Sequence, residues 1–77
     1  MRTYLCDLLA GKYQVAPPVD PDATFEDLGL DSLARAEFGA ELQDSLGIVI
    51  QEDDLAPHIT PTALAGALEA RGAAVPR

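Results

Sequence analysis

Basic residues are scarce in this sequence: five Lys and Arg stand against 13 Asp and Glu, for a formal net charge of −8. Nucleic-acid binding is thereby excluded as a function, because phosphate contacts need the opposite sign. Cysteine is nearly absent. Cys6 stands alone, so no internal disulfide can form, and in a helical segment it reads as a small buried hydrophobe rather than a reactive thiol. The single histidine, His58, follows Pro57 in a connecting segment and is expected to face solvent. With no Gly-x-Ser-x-Gly elbow to accompany it, a serine hydrolase is not supported. No apolar run approaches membrane-spanning length. Asp7 interrupts the apolar stretch at the N-terminus after two residues, so no signal peptide is expected. The expectation is a soluble, cytoplasmic monomer with no membrane role.

Length sets a further limit. Seventy-seven residues make one domain, 1–77, with one small core that buries roughly 60% of the unfolded surface. An enclosed active site with several walls has no room here, and no catalysis is expected of the chain. The acidic charge is concentrated: from Asp20 to Asp54 there are 11 acids and one base, Arg35, while the flanks are close to neutral. Such a field suits docking to basic protein surfaces. Asp20, Asp22, Thr24 and Asp31 mimic part of a calcium-loop spacing, but Phe25 stands where that loop needs glycine and Pro21 is misplaced.

The pattern along the chain is helical throughout. Leu5, Leu8, Leu9 and Tyr13 fall at helical spacing within 2–14. Pro17, Pro18 and Pro21 then exclude helix, and 15–30 reads as a long loop with Phe25, Leu28 and Leu30 pinning it to the core. A second helix runs from Asp31 or Ser32, either a good cap, to Leu46, with Gly47 as its stop. Ile48 and Ile50 are short anchors, and Gln51–Ala56 forms one acidic helical turn before Pro57. The last helix is signalled by Thr60 as N-cap, Pro61 at N1, and an Ile59–Leu64 staple. Leu64 and Leu68 form its buried stripe with Ala67 beside it; Gly72 closes it, and 73–77 is expected to fray, leaving about 2–72 ordered. The fold class is all-α: a small bundle of three main helices plus one short helix, with a long first loop.

The informative string is Phe25-Glu26-Asp27-Leu28-Gly29-Leu30-Asp31-Ser32-Leu33, followed by Glu37. It resembles the signature of the acyl carrier protein family, in which a long loop ends in Gly-x-Asp-Ser-Leu and the serine opens the second helix. The apolar positions Phe38, Leu42, Leu46, Ile48 and Ile50 also fall where that family places them. The resemblance covers about residues 2–72. It implies that Ser32 receives a 4′-phosphopantetheine arm from coenzyme A, attached by a phosphopantetheinyl transferase, and that acyl groups ride on the arm as thioesters. A helix N-terminus suits the resulting phosphodiester. The spacing Phe25-x-x-Leu28-Gly29 looks more like polyketide or nonribosomal carriers than fatty-acid ones, and the Asp before the serine leans toward acyl carriers. A peptidyl or aminoacyl carrier of a nonribosomal pathway is the alternative, as is an acidic helical adaptor that binds partners without any modification of Ser32.

A wheel for the second helix, turning about 100° per residue, separates two stripes. Phe38, Leu42 and Leu46 face the core; Glu37, Glu41 and Asp44 lie away from it, with Leu33 and Ala40 beside them. An exposed Leu33 ringed by acids makes a contact patch for acyl-loading, condensing or tailoring enzymes with basic docking surfaces. Asp31, Leu33, Glu37, Ala40, Glu41 and Asp44 are its expected members. Asp31 would draw in a basic residue of the transferase, cap the helix, or both. Two residues depart from the family pattern. Arg35 lies on the core side, where it would snorkel to the rim or pair with Asp31. Gly39, in mid-helix, costs about 1 kcal/mol relative to alanine, which a close approach of another backbone would explain.

Overall fold

The computed structural model describes residues 1–75. Three α-helices, α1 (Arg2–Lys12), α2 (Ser32–Leu46) and α3 (Pro61–Ala70), and a 3-10 turn (Glu52–Leu55) follow in chain order, with no strand among the described residues. Among the described residues no helix is long and apolar enough to cross a membrane.

Helices α2 and α3 begin and end on chemistry visible in their sequences. The Thr60 hydroxyl accepts the Ala63 amide at 3.0 Å, with Pro61 in the first position where its missing N–H costs nothing. Gly72, at φ 86°, closes α3: its amide reaches the Glu69 carbonyl and the Ala73 amide reaches Leu68, both at 3.0 Å. That paired return is a Schellman arrangement, and its left-handed residue is one that glycine alone adopts without strain. The fraying expected over 73–77 falls, for residues 76 and 77, outside the described residues. Helix α1 ends two residues earlier than its apolar spacing suggests. Gln14 turns to φ 59°, and the Val15 amide folds back to the Leu9 carbonyl at 3.2 Å.

The core is one cluster. Leu5 and Leu9 of α1, Phe38 and Leu42 of α2, and Leu64, Ala65 and Leu68 of α3 meet Val15, Phe25, Leu30 and Leu55. Phe38 packs edge-on against both Phe25, at 6.1 Å between ring centres, and Tyr13, at 5.3 Å. Pro61 and Ala65 join Leu64 and Leu68 in the buried stripe of α3, one row of i, i+3, i+4 and i+7 positions, and Ala67 lies half-buried beside it.

The long loop is held by backbone as well as side chains. Phe25 and Leu30 are buried and Leu28 half-buried. The Phe25 amide donates to the Ile59 carbonyl at 2.9 Å, the Glu26 amide to Pro57 at 3.1 Å, and the Thr62 amide to Pro21 at 3.0 Å. Locally the Thr24 hydroxyl takes the Asp27 amide at 3.0 Å and the Leu30 amide returns to the Phe25 carbonyl at 3.0 Å. Residues 24–30 therefore form a tight, tied turn that delivers the chain to Asp31.

Gly39 has a different explanation from the backbone approach expected of it. A Cβ there would stand 2.6 Å from the Leu55 Cδ1 methyl. The 3-10 turn seats a side chain, not its backbone, in the slot that glycine leaves on α2.

Candidate functional site

The N-terminus of α2 resolves the choice between its two candidate caps. Asp31 holds extended backbone (φ −78°, ψ 179°) and its carboxylate accepts the Ala34 amide at 2.8 Å. Ser32 is the first helical residue, exposed, with its hydroxyl uncommitted to the fold. The Ser32 and Leu33 amides are among the first-turn donors that have no intrahelical acceptor.

Beside Ser32 runs an open cleft of about 300 Å³ between α2 and the 3-10 turn. Arg35 and Ala36 line it on the α2 side; Leu55, Ala56 and Pro57 line the other, with Glu52 and Asp53 at the same wall. Arg35 is half-buried at the edge of this open cleft and does not pair with Asp31. Its Nη1 donates to the Leu30 carbonyl at 2.9 Å. Asp31 serves the cap through Oδ1, and a backbone acceptor stands in place of the expected i, i+4 pairing.

A serine at this place can hold an esterified phosphate. The hydroxyl is accessible, free amides and the positive end of the helix lie next to it, and the open cleft beside it combines apolar Ala36, Leu55, Ala56 and Pro57 with charged Arg35, Glu52 and Asp53.

The acidic stripe does not stay together. Glu37, Ala40 and Asp44 are exposed, as is Asp31, and Leu33 is 66% exposed. Glu41 instead turns toward α1, where Lys12 pairs with it and the Tyr13 hydroxyl donates to it at 3.5 Å. Burial and this carboxylate push the Tyr13 phenol up. Glu41 thus ties α1 to α2: a wheel locates a face but not what stands opposite it. Val49, 69% exposed, joins Leu33 as a second bare apolar side chain that the helix wheel could not reach. Its signal was the alternation Ile48-Val49-Ile50, in which burying the outer pair turns the middle residue out. The Ile50 amide, bonded to Gln43 Oε1 at 2.9 Å, holds that alternation in place.

A second ion pair braces the far wall of the cleft. Arg71 donates through both Nη atoms to Asp54, at 2.7 and 2.8 Å, while the same carboxylate accepts the Gln51 amide at 2.8 Å. Arg71 above all, and then the Gln51 amide, hold the Asp54 carboxyl below its ordinary value against the opposing effect of burial. A lowered folded pKa contributes stability that is present above the unfolded value, about 3.9, and is lost as pH falls through the folded one. Asp54→Asn is therefore expected to lower the urea midpoint at pH 7, and the gap to wild type is expected to shrink by pH 3. A gap independent of pH would contradict this role.

Comparison with known proteins agrees with the geometry. The family described as the phosphopantetheine attachment site matches residues 3–68. The chain is 42% identical over 52 residues to the anthracycline acyl carrier protein DpsG of Streptomyces peucetius, covering 66% of this chain and 62% of that protein. It is 40% identical over 43 residues to the granaticin polyketide synthase acyl carrier protein of Streptomyces violaceoruber, covering 56% and 51%. Against the non-reducing polyketide synthase stbA of Stachybotrys bisbyi it is 43% identical over 56 residues, 73% of this chain but 2% of that protein. The chain likewise spans only 2% of a mycobacterial phenolphthiocerol synthesis polyketide synthase. No solved structure matches it.

Proposed function

The chain belongs to the phosphopantetheine attachment-site family, and from that premise we propose that Ser32 carries the arm and that the protein is an acyl carrier of polyketide biosynthesis. The observation that carries the assignment is the division of labour at the head of α2: Asp31 caps the helix, so the exposed Ser32 hydroxyl has no structural duty. The pathway reading rests on the relatives, which are named as polyketide carriers and polyketide synthases.

In the attachment step Ser32 Oγ attacks the pantetheine-bearing phosphorus of coenzyme A within a phosphopantetheinyl transferase. An Oγ–P bond forms as the pyrophosphate P–O bond breaks; the adenosine bisphosphate leaves, and the hydroxyl proton passes to a base of the transferase. The first-turn amides and the positive helix end favour the phosphodiester anion that results. The arm supplies a thiol that holds acyl groups as thioesters, tethered at high effective concentration for each partner enzyme. The chain itself presents cargo and performs no chemistry on it.

Recognition falls to the face of α2 that starts beside Ser32: Asp31, Leu33, Glu37, Ala40 and Asp44, all exposed, with Glu41 half-buried among them. An exposed leucine within an acidic field fits partner surfaces that are basic with an apolar centre.

The test is to incubate the protein with a phosphopantetheinyl transferase and coenzyme A and weigh it intact, then map the gain by proteolysis. One arm on the peptide containing Ser32 is expected; no gain, or a gain elsewhere, overturns the reading. In the same assay Glu37→Lys is expected to slow transfer several-fold at low salt, with the gap closing as salt rises, while thermal stability is unchanged. Equal rates at low salt would remove Glu37 from the docking face.

A further inference from the structure

Arg35 is the only base between Asp20 and Asp54, and the fold places it beside Ser32. The two residues are three apart on α2, which makes them neighbours on one helical face. Side chains on a helix lean toward its N-terminus, and the Arg35 bond to the Leu30 carbonyl at 2.9 Å shows the guanidinium folded back past Ser32 toward the helix entrance. Both residues line the same cleft.

The guanidinium is also under-used. Only one of its N–H groups has an acceptor among the described residues. The ion pairs there are Lys12–Glu41 and Arg71–Asp54, and neither involves Arg35. Asp31, one turn back, accepts the Ala34 amide, and neither it nor Glu37 pairs with Arg35. Glu52 and Asp53 share the cleft without pairing with Arg35. A half-buried arginine with donors to spare, in a stretch otherwise acidic, is poised for an anion.

We propose that Arg35 clamps the phosphodiester at Ser32, with its remaining N–H groups donating to the phosphate oxygens while Nη1 stays on Leu30. This rests on Ser32 carrying the arm. The clamp offsets the repulsion that Asp31, Glu52 and Asp53 exert on a new negative charge, and it fixes the direction in which the arm leaves the helix, along the cleft. Arginine suits the task because its planar fork donates to two phosphate oxygens at once. Arg35 is a positioning residue and takes no part in bond making.

The experiment compares apo and arm-bearing forms of wild type, Arg35→Gln and Arg35→Lys. Arm attachment is confirmed by intact mass, and each protein is referred to its own apo form so that any packing loss cancels. Attachment is expected to raise the wild-type melting temperature relative to its effect on Arg35→Gln by about 2–5 °C at low salt. The difference should fall in high salt, Arg35→Lys should lie between, and the phosphorus-31 resonance should move in Arg35→Gln. Equal thermal shifts and coincident phosphorus resonances in the loaded proteins overturn the clamp while leaving Ser32 as the attachment point. Failure of every protein to gain the arm overturns both. If Arg35→Gln does not fold in its apo form, the phosphorus resonance and salt dependence of Arg35→Lys decide, and a spectrum identical to wild type rejects the proposal.

Discussion

Ser32→Ala is expected to abolish arm attachment completely while changing folding stability by no more than about 0.5 kcal/mol. Most serines that open a helix cap it, and their loss costs about 1 kcal/mol. Here Asp31 supplies the cap, and its bond to the Ala34 amide is independent of the serine side chain. Ser32 is exposed and helical, a position where alanine is at least as favourable. The variant thus separates function from fold: intact mass after incubation with transferase and coenzyme A should show nothing added, and urea unfolding should overlay the wild type. An arm still added would move the site elsewhere. A marked loss of stability would mean that the hydroxyl has a structural partner after all.

Phe25→Ala is expected to have the opposite profile, costing about 3–5 kcal/mol. A domain of this length has roughly 4–12 kcal/mol in total, so the loss takes a large share of it. Phe25 is fully buried, packs edge-on against Phe38, and sits where the loop backbone crosses to Ile59. Removing the ring opens a cavity in the centre of the core and loosens the turn that delivers Asp31 and Ser32 to the helix. The urea midpoint should drop by about a third or more, with Phe25→Leu falling between. Arm attachment should decline in proportion to the unfolded fraction. A loss below about 1 kcal/mol would show that the loop is held by its backbone bonds alone.

Much of this architecture was legible in the sequence because short-range chemistry set it. Thr60-Pro61, Gly47 and Gly72 mark helix ends whatever the rest of the chain does, and Phe38 and Leu42 follow from period alone. The site serine was legible from its motif, and its exposure follows from its place at a helix start. What stayed hidden depends on partners distant in sequence. Asp31 and Ser32 are equally competent caps, and only the delivered backbone angle selects one. Glu41 shares a face with Glu37, yet it also bonds Lys12 and Tyr13, nearly thirty residues back. Arg35 finds a carbonyl in the loop rather than the acid one turn away. Val15 is buried although it stands in a polar, proline-rich stretch, because α1 ends early and folds it under.

Gly39 gives the cleft its width. Leu55 belongs to the wall facing Ser32 and to a second, shallower groove on the other side of the same contact, and its methyl rests where any other residue at 39 would carry a Cβ. The glycine therefore acts as a missing shim between helix and turn. Filling it would force the Leu55 methyl to shift, and Leu55 lines both grooves. The gauge of the channel beside Ser32 is set by a residue that never touches it, seven positions along the helix, and the stability that a mid-helix glycine forgoes is the cost of holding that spacing.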